Sequence, residues 1–295
     1  VQVMGDGKHV IHMGERECTL QRRSQKLVEV APSPSISTKL RREITGAALR
    51  IARQAGYASL GTFEFLVENS AGRGQAFAFM EVNPRLQVEH TVTEEVTGVD
   101  LVRAQIEIAG GKTLSDLGLT HDARHPHFYS LQVRVNMETM DETGNVIPSS
   151  GRLNTYEAPS GPGIRVDGYG YSGYTTNPAF DSLLAKLIIT SRSEKYGDAV
   201  ARSQRALEEF RIEGVETNIP FLLNLLARPE VINNDIYTRF IEDNAAALAK
   251  APAGRRTRFF AEGTAEVTAH RLQTPAAPPG TVPLTAPMQG CVVNI

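Results

Sequence analysis

Residues 61–90 read GTFEFLVENSAGRGQAFAFMEVNPRLQVEH. Two alternating runs, GTFEFLVE (61–68) and QAFAFMEVN (75–83), flank the glycine-rich NSAGRG (69–74). That pattern predicts an antiparallel hairpin with a six-residue turn. The turn centre lies near residue 72, so Glu64 falls opposite Glu81. By alternation Thr62, Glu64 and Leu66 share one face with Phe79, Glu81 and Asn83. Directly opposed carboxylates repel, the more so when Phe and Leu neighbours draw the pair partly out of water. A divalent cation between them reverses the sign. Asn83 offers a neutral oxygen beside the pair, and such ligands suit Mg²⁺ or Mn²⁺ completed by phosphates.

The next residues, NPRLQVEH (83–90), extend the case. Asn83-Pro84 ends the strand, because the residue before proline favours extended geometry. Continued as an extended run, Arg85, Gln87 and Glu89 point one way, with Leu86 and Val88 opposite. A guanidinium suits a planar oxyanion, an amide fixes its orientation, and a glutamate takes a proton if its pKa is tuned upward. The plainer alternative is a pair of solvated glutamates and an Arg–Glu surface pair worth little.

Working outward, VQVMGDGKHVIHM (1–13) predicts a second hairpin around Gly5-Asp6-Gly7. ERECTLQRRSQK (15–26) reads as a polar turn and LVEVAP (27–32) as a strand. Ser37 suits a helix N-cap, with Leu40, Ile44, Ala47, Ala48, Ile51 and Ala55 at helical spacing and Gly56 as the stop. Helices are expected at 91–97 and 99–109. Residues 128–192 read as mostly strand, followed by a helix at 194–210 and shorter ones in NIPFLLNLL (218–226) and IYTRFIEDN (236–244). The Ala/Pro-rich stretch 246–282 has linker composition. The chain starts and stops within strand patterns, so an internal piece of a longer protein is expected.

Composition narrows the function classes. The chain has 295 residues, with 31 Lys+Arg, 33 Asp+Glu and a net charge of −2. That balance gives no broad field for nucleic acid or an anionic membrane. No run of roughly 18 apolar residues suggests a membrane span. The two cysteines, Cys18 and Cys291, support neither a disulfide framework nor a zinc site. A cytoplasmic location is expected.

FEFLVE (63–68), MEVNPRLQVEHTVTEEVTGVDLV (80–102) and ERECTLQRRSQKLVEVAP (15–32) together resemble the biotin carboxylase component of biotin-dependent carboxylases. The resemblance runs to about residue 245. PLTAPMQGCVVNI (283–295) resembles the first strand of a biotinyl carrier domain. The implied fold class is α+β: the C-terminal region of an ATP-grasp fold, with an antiparallel sheet and flanking helices, then a β-rich C-terminal subdomain. The implied domains are 1–110 (ATP-grasp part), 111–245 (C-terminal subdomain), 246–282 (linker) and 283–295 (truncated carrier strand).

The resemblance also implies roles. Glu64, Glu81 and Asn83 hold Mg²⁺ or Mn²⁺ bridging the phosphates of ATP. Lys26, Arg85, Gln87, the Val88 backbone and Glu89 hold bicarbonate, and Glu89 removes its proton. Gln21 contacts the nucleotide and Leu66 packs on adenine. Arg134 stabilises the enolate of the biotin ureido group. Partners are ATP, bicarbonate, a biotinyl carrier domain bearing biotin, and a carboxyltransferase domain; a homo-oligomer is expected. The acceptor is taken as acyl-CoA type, with pyruvate and urea open. Ser24 replaces the family's usual histidine, which puts one nucleotide contact in doubt. The phosphate-gripping lid of the family has no counterpart in this sequence, so the chain alone is expected to be inactive. Two competitors stay open: another ATP-grasp carboxylate ligase, and a non-catalytic scaffold copy.

Overall fold

The computed structural model describes residues 1–68, 76–123, 125–141, 143–177 and 179–250. The expected turn 69–74, most of the expected linker and the carrier strand 283–295 lie outside the described residues.

In chain order the elements are β1 (Gln2–Asp6), β2 (Val10–His12), β3 (Glu17–Arg22), β4 (Gln25–Ala31), α1 (Thr38–Gln54), β5 (Ala58–Val67), β6 (Phe77–Asn83), α2 (His90–Thr97), α3 (Leu101–Ala109) and β7 (Tyr129–Asn136). Then come β8 (Glu138–Met140), β9 (Val146–Pro148), β10 (Thr155–Glu157), β11 (Ile164–Gly168), β12 (Leu183–Ser191), α4 (Tyr196–Glu209), β13 (Arg211–Glu213), α5 (Ile219–Leu226), α6 (Pro229–Ile232), α7 (Phe240–Asp243) and α8 (Ala245–Leu248). The fold is mixed α+β with antiparallel sheets, as the sequence predicts. Among the described residues no helix is long and apolar enough to cross a membrane.

Packing divides the chain into two compact units. The first is Val1–Gln132 with Ile188–Arg202 and Pro229–Phe240; the second is Val133–Leu187 with Ser203–Arg228 and Ile241–Ile295, of which residues 241–250 are described.

The first unit holds an antiparallel sheet of order β2-β1-β5-β6. Strand alternation sends successive residues to opposite faces. Val3 and Phe63 face α1, packing on Leu40, Ile44, Ala48 and Ala52. Met4 and Leu60 face the other way, onto Leu101, Ala104 and Leu114. Each fully buried leucine or isoleucine here contributes about 1.5–3 kcal/mol. Ser37 caps α1 as expected, its hydroxyl accepting from Leu40 N at 3.1 Å. Gly5 must be glycine, because a methyl there would lie 2.2 Å from the Tyr57 carbonyl oxygen.

One expectation fails in this unit. Residues 15–26 are not a polar turn: residues 17–22 form β3, paired antiparallel with β4, and the turn is only Arg23-Ser24. Both turn residues have positive φ, 44° and 66°, as a two-residue hairpin of primed type requires. The strand escapes a hydrophobic-pattern reading because Glu17, Thr19 and Gln21 line a cavity instead of an apolar core.

The second unit is rich in short strands. β8 and β9 form a hairpin, and β10 pairs antiparallel with β13. Met137, Leu153, Leu184 and Val215 form its core. The expected helix over 236–244 shrinks to the single turn α7.

Candidate active site

Three pieces of the first unit converge: the β3–β4 hairpin, the β5–β6 hairpin and the loop from β6 into α2. The hairpin register delivers the predicted pair, with Glu64 directly opposite Glu81. Just beyond it the register shifts, so Phe65 pairs with Phe79 and Met80 is left over as a bulge. Phe79 therefore does not share the Glu64 face as strict alternation predicts; its ring packs edge-on against Phe65 at 5.7 Å. Leu66 faces Ala78 instead. Bulges recur beside active sites because they re-aim side chains, and here Met80 joins the cavity lining.

The segment after Pro84 is not extended. It turns, with His90 N donating to the Gln87 carbonyl, and enters α2 with Glu89 at the N-cap position. The His90 ring also contacts that carbonyl, 2.7 Å from Nδ1. Beneath the start of α2, Thr91 Oγ1 donates to Gln132 Oε1, and Gln132 Nε2 donates to Glu29 Oε2 at 3.0 Å. The helix start is thereby fixed. The Glu89 carboxylate makes no capping bond to its own helix.

That carboxylate accepts from Lys26 Nζ at 2.7 Å, and the same ammonium donates to Glu64 Oε1 at 3.1 Å. Gln87 Nε2 donates to Glu64 Oε1 at 3.0 Å. Asn83 Nδ2 bridges the opposed pair, 2.8 Å from Glu81 Oε1 and 3.2 Å from Glu64 Oε1. Lys26, Glu64, Gln87, Glu89, Asn83 and Glu81 are thus one connected polar cluster.

Its electrostatics correct one expectation. Burial raises the Glu89 pKa, but the Arg16 and Lys26 charges outweigh it and hold the carboxyl at about 2. No upward tuning exists in this arrangement. Burial likewise raises Glu64, while the Gln87 hydrogen bond and Lys26 bring it below its ordinary value. Burial opposes the Lys26 charge, yet Cys18, Glu89 and Glu64 together keep its pKa above the ordinary lysine value. Cys18 beside it is pushed up to about 12 by burial and stays a thiol at neutral pH.

The predicted residues are not all gathered. Arg85 is exposed, and its guanidinium turns onto the Leu86 carbonyl at 3.2 Å instead of joining Gln87 and Glu89. The turn at 84–89 is the physical reason: alternation does not survive the loss of extended backbone. Arg134 belongs to the second unit, on β7, where Asn218 Nδ2 donates to its carbonyl. Leu66 and Gln21 both line the cavity.

That cavity has a volume of about 700 Å³. Lys26, Glu64 and Glu89 line it together with Leu66, Ile236 and Tyr237. A charged cluster and apolar groups in one cleft suit a molecule with a polar end and a flat apolar end, and an anionic end there requires a cation to offset the carboxylates. Ile236 and Tyr237 escaped the sequence reading because they lie about 170 residues downstream of Leu66, in an apolar helical pattern. Asn234 Nδ2, 3.2 Å from both Glu17 carboxylate oxygens, ties that segment to β3.

A hard cation fits the Glu64–Glu81–Asn83 donor set. Two opposed carboxylates compete here for one amide nitrogen, and the same amide has an oxygen to offer a cation. Among the described residues no group of three or more His, Cys, Asp or Glu side chains is placed so as to hold a metal ion by itself. A cation at the pair therefore needs further oxygens from a ligand.

Residues 1–117 match the family described as the carbamoyl-phosphate synthase L chain ATP-binding domain, and residues 132–243 match the biotin carboxylase C-terminal domain. Together the two matches take in most of the chain, which is thus similar to the biotin carboxylase portion of biotin-dependent carboxylases.

Pyruvate carboxylase 1 of Caenorhabditis elegans is 42% identical over 279 residues, which is 94% of this chain and 23% of that protein. A single-chain, multi-domain long-chain acyl-CoA carboxylase superposes with a TM-score of 0.80 at 40% identity, covering 84% of this chain and 26% of that one. The biotin carboxylase domain dimer of Hydrogenobacter thermophilus 2-oxoglutarate carboxylase, in complex with MgADP, ADP and bicarbonate, superposes with a TM-score of 0.76 at 38% identity, covering 85% of this chain and 53% of that one. The chain spans under a quarter of the length of the first of these relatives.

Proposed function

We propose that this chain is the ATP- and bicarbonate-dependent biotin carboxylating portion of a larger biotin-dependent carboxylase. The observation that carries it is the cluster of Lys26, Glu64, Gln87 and Glu89 at the edge of the 700 Å³ cavity. ATP lies in the cavity with adenine toward Leu66, Ile236 and Tyr237, and Gln21 contacts the nucleotide. Bicarbonate lies against Lys26, Gln87, the Val88 backbone and Glu89, with Arg85 swinging in from its exposed position. Mg²⁺ or Mn²⁺ is held by Glu64, Glu81 and Asn83, and supplies neutralisation of charge on the phosphates.

Glu89 takes the bicarbonate proton. Its low pKa in this arrangement makes it a weak base, so Lys26 has a second task. When Lys26 moves its contact from Glu89 to the incoming anion, it neutralises the nucleophile and releases the basicity of Glu89 in one motion. The bicarbonate oxygen then bonds to the γ-phosphorus as the bond to ADP breaks, giving carboxyphosphate. Carboxyphosphate splits to CO₂ and phosphate, and the biotin ureido nitrogen, deprotonated by that phosphate, bonds to CO₂. Arg134 stabilises the ureido enolate. Exclusion of water protects the intermediate.

The domain reading is 1–110 for the ATP-grasp part, 111–245 for the C-terminal subdomain, 246–282 for a linker and 283–295 for the start of a biotinyl carrier domain. The parent enzyme is then a cytoplasmic homo-oligomer with biotin on that carrier. A carboxyltransferase domain chooses the acceptor. The sequence leaves acyl-CoA, pyruvate and urea open as acceptors; the long-chain acyl-CoA carboxylase supports the acyl-CoA type, whereas the pyruvate carboxylase relative favours pyruvate. Taken alone, the chain binds ATP poorly and carboxylates nothing.

The test is ADP release by the parent enzyme with and without bicarbonate and free biotin. Release that needs bicarbonate, rises with biotin and disappears in Glu89→Gln supports this function. Turnover indifferent to bicarbonate points to another ATP-grasp ligase, and no turnover to a scaffold.

A further inference from the structure

Arg16 lies just before β3, and no sequence motif singles it out. Its guanidinium makes four side-chain hydrogen bonds. Nη1 donates to Gln2 Oε1 at 2.6 Å and to Thr93 Oγ1 at 2.9 Å. Nη2 donates to Thr62 Oγ1 at 2.9 Å and to Gln87 Oε1 at 3.1 Å. The four acceptors come from β1, α2, β5 and the loop between β6 and α2, and each is more than nine-tenths buried. All four are neutral. A guanidinium is a rigid planar fork, so these bonds fix its orientation within the first unit.

The consequence falls on Gln87. An amide has one oxygen and one nitrogen, and reversing it exchanges an acceptor for a donor. With a cation on Oε1, reversal would set Nε2 against the guanidinium. The Gln87 nitrogen is therefore held toward Glu64 Oε1, 3.0 Å away. Without Arg16 the amide is held from the Glu64 side alone, and its donor is fixed less firmly toward the cluster.

We propose that Arg16 is a positioning residue of the anion site, which locks the Gln87 amide with its nitrogen toward the Glu64–Lys26–Glu89 cluster. Arg16 lines the cavity and its charge also lowers the Glu89 pKa, but its hydrogen bond to the anion site is made through Gln87. This rests on the bicarbonate-dependent function above.

The test is steady-state ADP release by the parent enzyme carrying Arg16→Met, Arg16→Lys, Gln87→Ala and Arg16→Lys/Gln87→Ala, the double variant keeping the charge felt by Glu89. The expected result is a bicarbonate KM raised about tenfold by Arg16→Met, with the ATP KM changed by less than about twofold. The double variant is expected to be no worse than Gln87→Ala, because one interaction cannot be lost twice. Arg16→Lys keeps the charge but cannot fork to four acceptors, so it gives the same reading if Arg16→Met is too unstable to assay. Parallel rises in both KM values, or effects that multiply in the double variant, overturn the proposal. An unchanged bicarbonate KM in Arg16→Met overturns it while leaving the carboxylase function standing. Wild-type turnover indifferent to bicarbonate overturns both.

Discussion

The Lys26 ammonium stands 2.7 Å from a Glu89 oxygen and 3.1 Å from a Glu64 oxygen, so one cation neutralises carboxylates from two separate elements. β4 carries the lysine, β5 one glutamate and the start of α2 the other. Removing the cation takes away the ion-pair partner of two partly buried carboxylates. Lys26→Met is expected to cost about 3 kcal/mol of unfolding free energy, measured by urea denaturation at pH 7. A loss below about 1 kcal/mol, the range of solvated surface pairs, would contradict the burial argument.

Acid should expose the same pairing. The Glu89 carboxyl lies at about 2, against an ordinary value of 4.5. A depressed carboxylate pKa adds stability that is complete above the unfolded value and is lost as pH falls through the folded one. The window here runs from about pH 5 down to about pH 2, and the contribution is on the order of a few kcal/mol. Glu89→Gln should therefore flatten the stability profile in that window. An acid limb identical to that of the wild type would count against the pairing.

The Arg23-Ser24 turn places two ordinary residues at positive φ. Each bears a Cβ that disfavours this region. Ser24→Gly relieves one of them and should stabilise by about 0.5 kcal/mol after the entropy cost of glycine. Thermal unfolding checks it, and a lowered midpoint would refute it.

What was legible in the sequence follows from where ordinary patterning operates. The Glu64–Glu81 opposition was readable because hairpin arithmetic needs only the two strand runs, and α1 because Ser37 and the Leu40–Ile44–Ala48 stripe obey the helical period. β3 was not readable, since its side chains face a polar cavity and break the apolar alternation. The bulge at Met80 was hidden for a related reason: a one-residue shift leaves no mark on composition. Gln87 and Glu89 do converge as predicted, but on a turn instead of an extended run, and that turn leaves Arg85 outside. Arg16 gave no signal at all, because its four acceptors are scattered from residue 2 to residue 93.

Metal dependence should follow the opposed pair. MgADP at about a hundred times its dissociation constant should stabilise the parent enzyme by about 2.7 kcal/mol. Chelation with EDTA should remove most of that shift, and Glu64→Gln or Glu81→Gln should do the same with magnesium present. Equal stabilisation by ADP with and without magnesium would place the cation elsewhere.

The most direct test follows one oxygen atom. If bicarbonate attacks the γ-phosphorus of ATP, the bridging oxygen of carboxyphosphate originates in bicarbonate and stays on phosphate when CO₂ departs. Turnover of the parent enzyme with ¹⁸O-labelled bicarbonate in ordinary water, read by mass spectrometry, should give phosphate carrying one ¹⁸O atom per molecule released. Phosphate with no label would mean that water, not bicarbonate, attacks ATP, and would contradict the carboxylation account.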